Sequence, residues 1–185
     1  MSQREPADAL LEHKQALAKI DGAVALAASK AGDALVCERG CSSCCVDGLS
    51  VLPVEAALIQ ASGLRPPPKA TAASVMCAFL DDDGACSIYF VRPVLCRTHG
   101  LALRAPREQR PSARALRVLG DDVSACELNY AARAPKADEV LDAEKLMMLL
   151  VTVDRRYRAR AGIADDTSRV PLRELAERLR ERPMP

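Results

Sequence analysis

The reactive chemistry of this sequence lies in its sulfur. Eight cysteines occur in 185 residues, and they are gathered rather than scattered. Four stand in one short stretch, Cys37-Glu-Arg-Gly-Cys41-Ser-Ser-Cys44-Cys45. Cys77, Cys86 and Cys96 follow, and Cys126 stands alone further on. Thiols grouped in this way bind metal, form disulfides or carry redox chemistry, and the compartment largely decides among the three. The start of the chain, Met1-Ser-Gln-Arg-Glu-Pro, carries charges of both signs and no apolar segment of a secretory signal. The expected setting is a reducing cytoplasm, where clustered cysteines are more often ligands than bridges.

The spacing Cys37-x3-Cys41-x2-Cys44 lets three thiols of one loop converge on one centre. Soft thiolates select zinc, iron–sulfur clusters or cuprous copper over hard cations. A tetrahedral zinc site needs four ligands at about 2.3 Å, and a four-iron cluster likewise takes four thiolates. The loop offers three, so a fourth must return from Cys77, Cys86, Cys96 or Cys126. Cys41, Cys44, Cys86 and Cys96 lead the expected ligand set, followed by Cys37 and Cys77, then Cys45 and Cys126. Consecutive residues rarely aim at one small centre, so Cys45 is expected to face elsewhere, to ligate a second metal, bridge two metals or pack as a buried thiol. Eight thiols suit two four-thiolate sites arithmetically, but the count alone does not decide between one centre and two.

Other polar residues read more plainly. Gly40 permits a tight loop, and Asp81, Asp82 and Asp83 read as a solvated turn. His99 has zinc-like spacing from Cys96, yet eight thiols leave it little to do as a ligand. His13 reads as a surface group on the first helix. Arg92 and Arg97 flank Cys96, where a guanidinium would offset the negative charge of a thiolate centre.

These residues need elements to position them. Residues 8–35 read as a helix, with Leu10, Leu17, Ile20 and Val24 at helical spacing. Pro53 suits a first helical position, and its helix should stop near Gly63. Two apolar runs around Asp81-Asp82-Asp83-Gly84 signal a hairpin, with Leu80 expected opposite Ala85 and Phe79 opposite Cys86. Pro93 should open a helical turn carrying Cys96. A helix over 122–133 is expected to carry Cys126, and the arginine-rich stretch 104–117 reads as irregular. A long helix is expected from Asp138 to Arg160, then a final one with Leu172, Leu175 and Leu179. The fold class expected is mainly α with a small β-hairpin, a compact single domain (residues 1–185) organised around a cysteine-rich metal site. Within it, 1–35 forms the N-terminal helix, 37–126 the cysteine core and 138–181 the C-terminal helices.

The three cysteine motifs (37–45, then Cys77-Ala-Phe-Leu-Asp-Asp-Asp-Gly-Ala-Cys-Ser-Ile-Tyr89, then Arg92-Pro-Val-Leu-Cys-Arg97) resemble the CxxCxxCC cysteine-cluster family, the YkgJ-like group of zinc- or iron-chelating domains. The resemblance covers about residues 37–126. It implies metal binding by all eight cysteines, with zinc and an iron–sulfur cluster both open, and its relatives include a flagellin lysine N-methylase. The first gap holds three residues here rather than two, as in a variant form of the pattern.

A net charge of +1 argues against a nucleic-acid surface. No apolar run reaches the roughly 18 residues of a membrane span. The expected partner is therefore a metal ion or cluster, with neither nucleic acid nor membrane. No catalytic constellation independent of the metal is legible. Cys-x3-Cys-x2-Cys also occurs in radical S-adenosylmethionine enzymes, but the chain is short and shows no βα repetition. A methylase-like enzyme would need an adenosine site, and no glycine-rich loop after a strand supplies one. A thiol redox or metal-buffering protein is the further alternative.

Overall fold

The computed structural model describes residues 4–38, 40–68, 75–106, 116–120 and 122–182. Its elements in chain order are α1 (Arg4–Ala31), β1 (Ser50–Val51), α2 (Pro53–Ala61), α3 (Val94–Thr98), β2 (Leu103–Arg104), β3 (Leu116–Val118), β4 (Val123–Cys126), β5 (Leu141–Asp142), α4 (Ala143–Ala161), β6 (Val170–Pro171) and α5 (Leu172–Glu181). Short 3₁₀ turns lie at Gly32–Ala34, Tyr89–Val91 and Ala137–Glu139.

The helices form where apolar residues recur every three or four positions. α1 and α4 pack along each other, burying Leu17 and Ile20 of one against Leu150 and Val153 of the other, with Leu58 of α2 and Val94 of α3 between them. The α4 start is later than the sequence suggests. Residues 137–142 spend themselves on a 3₁₀ turn and β5, and the Asp142 carboxylate then caps the helix by accepting from the Lys145 amide at 3.1 Å. Gly162 ends it in the left-handed region (φ 66°).

The β structure exceeds expectation. β1 and β6 pair antiparallel, Val51 opposite Val170. A four-stranded sheet runs in the order β3-β4-β2-β5, antiparallel except for the β2–β5 pair. The stretch expected to be a helix over 122–133 is instead strand β4 followed by turns, with Cys126 opposite Leu116. Likewise the edges of 104–117 are strands rather than irregular chain, while Arg107, Arg110 and Arg114 lie outside the described residues.

The apolar interior divides into clusters. Phe79, Ile88, Leu172 and Leu175 centre one under α5, and Cys77 and Cys86 pack against it. Ala31, Ala102, Ala125 and Tyr130 centre another, flanked by Leu35. Among the described residues no helix is long and apolar enough to cross a membrane.

Candidate metal centre

All eight cysteines are free thiols. The first loop is shaped by turns: the Cys41 amide bonds the Glu38 carbonyl at 3.1 Å and the Cys45 amide the Ser42 carbonyl at 2.9 Å. Gly40 sits at φ 91°, a conformation that a side chain would strain. The Asp81–Ala85 loop lies against this turn, close enough that a Cβ on Gly84 would meet the Gly40 carbonyl oxygen at 3.2 Å.

The second strand of thiols is tied to the first through the backbone. The Cys77 amide bonds the Cys45 carbonyl at 2.9 Å, and Val46 bridges Met76. The hairpin is one residue out from the expected register: Leu80 bridges Cys86, and Ser87 donates to the Phe79 carbonyl. The physical cause is Asp81, whose carboxylate accepts from the amides of Asp83 and Ala85 and so closes a five-residue loop. Cys96 rides on α3, whose first amide, at Val94, is held at 2.8 Å by the buried Glu55 carboxylate; that carboxylate also takes the Leu52 amide.

α5 grips this region from outside. Arg173 donates to the Asp47 carboxylate and the Met76 carbonyl; Arg180 donates to the carbonyls of Pro67 and Ala78. The carbonyls on either side of Cys77 are thus held by arginines of the last helix.

Cys37 has a separate cradle that sequence reasoning missed. The Asn129 side-chain amide, wholly buried, donates to its sulfur at 3.2 Å and also to the Gly100 carbonyl, while its oxygen accepts from the Val36 amide at 2.9 Å. A Cβ on Gly100 would stand 2.8 Å from the Cys37 sulfur, so only glycine leaves room for that thiol. Tyr130, next to Asn129, holds φ at 53°, a rare posture for a bulky residue. No sequence motif announces Asn129; its one signal is lying three residues after a cysteine.

Electrostatics follows this layout. Burial raises the Cys77, Cys86 and Cys96 thiols above their ordinary range, most strongly Cys96, and neighbouring thiols push further: Cys86 acts on Cys77, and both act on Cys96. The amide two residues on (Phe79 for Cys77, Ile88 for Cys86) pulls each back, as does Arg92 for Cys86. Burial also raises Cys37, opposed by Asn129 and reinforced by Cys126, Cys41 and Cys44. Cys45 donates to Cys44, which lowers Cys44 to about 7 and drives Cys45 up.

Several side chains stand elsewhere than expected. Arg97 pins α3 to α1, donating to both Asp21 oxygens at 2.6 Å and to the carbonyls of Arg92 and Phe90. Arg92 stacks on Tyr89 at 3.9 Å while staying near Cys86. His13 is not a surface group but 1% exposed, its Nδ1 without a partner. His99 is also buried, and its Nε2 has no partner. The aspartates at 81–83 are exposed, as a solvated turn requires.

The cysteine-rich centre expected from the sequence is not drawn together at coordination distance. Among the described residues, no three His, Cys, Asp or Glu side chains stand as a group able to hold a metal ion. The donors nevertheless suit a soft metal: eight unbridged thiols, amides aimed at Cys37, Cys77 and Cys86, and a seat for one sulfur that a Cβ would fill.

Residues 36–115 match the family model CxxCxxCC, described as "Putative zinc- or iron-chelating domain". The match takes in the cysteines from Cys37 to Cys96 and stops before Cys126, short of the span the sequence motifs suggest. No curated protein and no solved structure matches the chain.

Proposed function

We propose that this chain, with its CxxCxxCC segment at 36–115, is a cytoplasmic metal-binding protein whose cysteine thiolates hold zinc or an iron–sulfur cluster. The proposed ligands are Cys37, Cys41, Cys44 and Cys45 of the first loop, Cys77 and Cys86 of the hairpin, Cys96 of α3 and Cys126 of β4. They form the core of one domain that α1 and α5 close from outside.

The observation that carries this reading is the preparation of the sulfurs. Burial raises these thiols, and Asn129 and the amides of Phe79 and Ile88 each direct an N–H toward a different one of them, opposing that rise and leaving a donor in place for the thiolate that a metal requires. A bound metal would supply the attraction that draws these neighbouring thiols into coordination. Each ligating thiol gives its proton to solvent as its sulfur bonds the ion. With iron–sulfur chemistry the same centre would carry one electron at a time; with zinc it would be structural.

Anaerobic purification followed by elemental analysis and a visible spectrum tests the proposal. Iron with acid-labile sulfide and brown absorbance assigns a cluster, and colourless protein with zinc assigns the ion. Protein that retains neither, even after reconstitution, overturns the reading. One observation favours a second function, thiol redox or metal buffering: the Cys44 thiol, lowered to about 7, is partly ionised at neutral pH beside Cys45. Rapid alkylation of Cys44 in metal-loaded protein would support it; protection of Cys44 supports its role as a ligand.

A further inference from the structure

We propose that the groove between α1 and the 3₁₀ turn Tyr89–Val91 docks an acidic segment of a partner protein, one apolar side chain of which seats against Phe90. This surface is separate from the metal-binding reading above and does not depend on it. The chain has two phenylalanines: Phe79 is wholly buried, whereas Phe90, at the lip of the groove, is 86% exposed. Its neighbour Tyr89 is 54% exposed and meets it edge to face, with ring centroids 5.9 Å apart. Single apolar residues are common on protein surfaces, but paired aromatics beside a concavity are the composition of contact sites.

The exposure is built into the fold. Ile88 and Val91, on either side of the aromatic pair, face the interior: Ile88 lies in the cluster under α5, and Val91 packs against both that cluster and the one between α1 and α4. The Val91 amide bonds the Ile88 carbonyl at 2.9 Å. The buried Arg97 guanidinium donates to the Phe90 carbonyl at 3.1 Å and to the Arg92 carbonyl at 2.8 Å. A turn held at so many points keeps Phe90 outside, and an aromatic presented in a fixed place loses little entropy when a partner arrives.

Size and charge then select the occupant. The groove holds about 250 Å³. That is below the roughly 300–1,000 Å³ of small-molecule sites and suits one side chain of leucine or phenylalanine size. Leu17, Leu58 and Val91 line it with apolar surface, and Lys14, Asp21 and Arg97 with polar groups. The charge does not cancel. Both Asp21 oxygens are taken by Arg97 at 2.6 Å. Lys14, on the exposed side of α1, has no carboxylate partner among the described residues. Neither has Arg92, which stacks on the Tyr89 ring at 3.9 Å. Cations left over in this way call for carboxylates on the incoming chain. Lys14 and Arg92 together do not span a phosphate backbone, and a net charge of +1 supplies no wider field for nucleic acid.

Fluorescence anisotropy on the full chain tests the surface, with the labelled peptide Glu-Asp-Glu-Phe-Asp-Glu-Asp as probe. Saturable binding is expected, about tenfold or more tighter than for the same peptide with alanine at its centre or with lysines in place of its acids. That comparison needs no variant of the protein. Phe90→Ala, Lys14→Glu and Ala18→Arg, all at exposed positions along the groove, should each weaken binding about fivefold or more. Met148→Ala, on the exposed side of α4, should leave it unchanged. Equal affinity for the acidic and lysine peptides, an equal loss in Met148→Ala, or no binding below about 1 mM overturns the proposal. So does tighter binding of a short single-stranded oligonucleotide, which would make the aromatic pair a stacking platform. A dimer in sedimentation that Phe90→Ala abolishes also overturns it, in favour of a contact between two copies of this chain. None of these readouts involves metal content, so failure here leaves the metal-binding reading standing.

Discussion

Around Cys37 the space is set by what is missing from Gly100. A methyl group there would fall 2.8 Å from the sulfur, and both the Asn129 bond to that sulfur and the Val36 amide bond to Asn129 resist a shift. Gly100→Ala should therefore cost about 1–3 kcal/mol in urea unfolding of the metal-free protein. Gly120→Ala, where nothing lies within 4 Å, is the matched control; equal midpoints for the two would refute the steric account. His13 offers a second test. Burial, helped by the positive charge of Arg97 and opposed by Asp154, lowers its pKa to about 4 from 6.5. Below pH 6.5 the unfolded chain gains a proton that the folded chain refuses, so stability falls as the pH drops from 6.5 toward 4. About 2 kcal/mol should be lost between pH 7 and pH 5. His13→Leu should flatten that part of the profile; an unchanged pH slope would show that His13 does not cause it. In the sequence His13 reads as a surface group because its chain neighbours are polar, yet it shares one helical stripe with Leu10, Leu17 and Ile20 and is buried with them. Asn129 was not legible, because a buried amide aimed at a sulfur 92 positions away leaves no local pattern.

Among the elements, long helices were readable because burying one face imposes a period of 3.6 on many residues. The strands were not. β2, β5 and β6 are two residues each and pair across long separations, so alternation has no length in which to show itself. The hairpin was legible as a hairpin but its register was not, since a carboxylate bonded to two loop amides fixed the loop at five residues. Within α1, Gly22 faces open space. Gly22→Ala should raise stability by about 0.5–1 kcal/mol through reduced backbone freedom of the unfolded chain. In α5, Leu175 is fully buried in the cluster that supports Cys77 and Cys86. Leu175→Ala should cost about 2–5 kcal/mol in the same assay; a change under 0.5 kcal/mol would mean that the α5 interface contributes little to holding the hairpin.

At the scale of the molecule, the sequence offered eight candidate sulfurs but not where the fold would set each of them. Their placement depends on backbone bonds such as that from the Cys77 amide to the Cys45 carbonyl and on support from Asn129 and α5, which no spacing rule encodes. Metal bound to thiolates is expected to contribute on the order of 10 kcal/mol to the parts that ligate it. Chelation should therefore speed amide exchange at least tenfold in residues 41–48 and 75–88, with the interior of α1 and α4 less affected. Equal exchange with and without metal would contradict a structural role for the ion.

The grip of Arg173 and Arg180 on the carbonyls beside Cys77 carries a consequence for biogenesis. A ribosome delivers the hairpin about a hundred residues before it delivers the helix that fastens it. Throughout that interval the sulfurs of a nascent chain lack their outer clasp, open to solvent, oxidant and any ion carrier in reach. Closure of that clasp waits until α5 has been made.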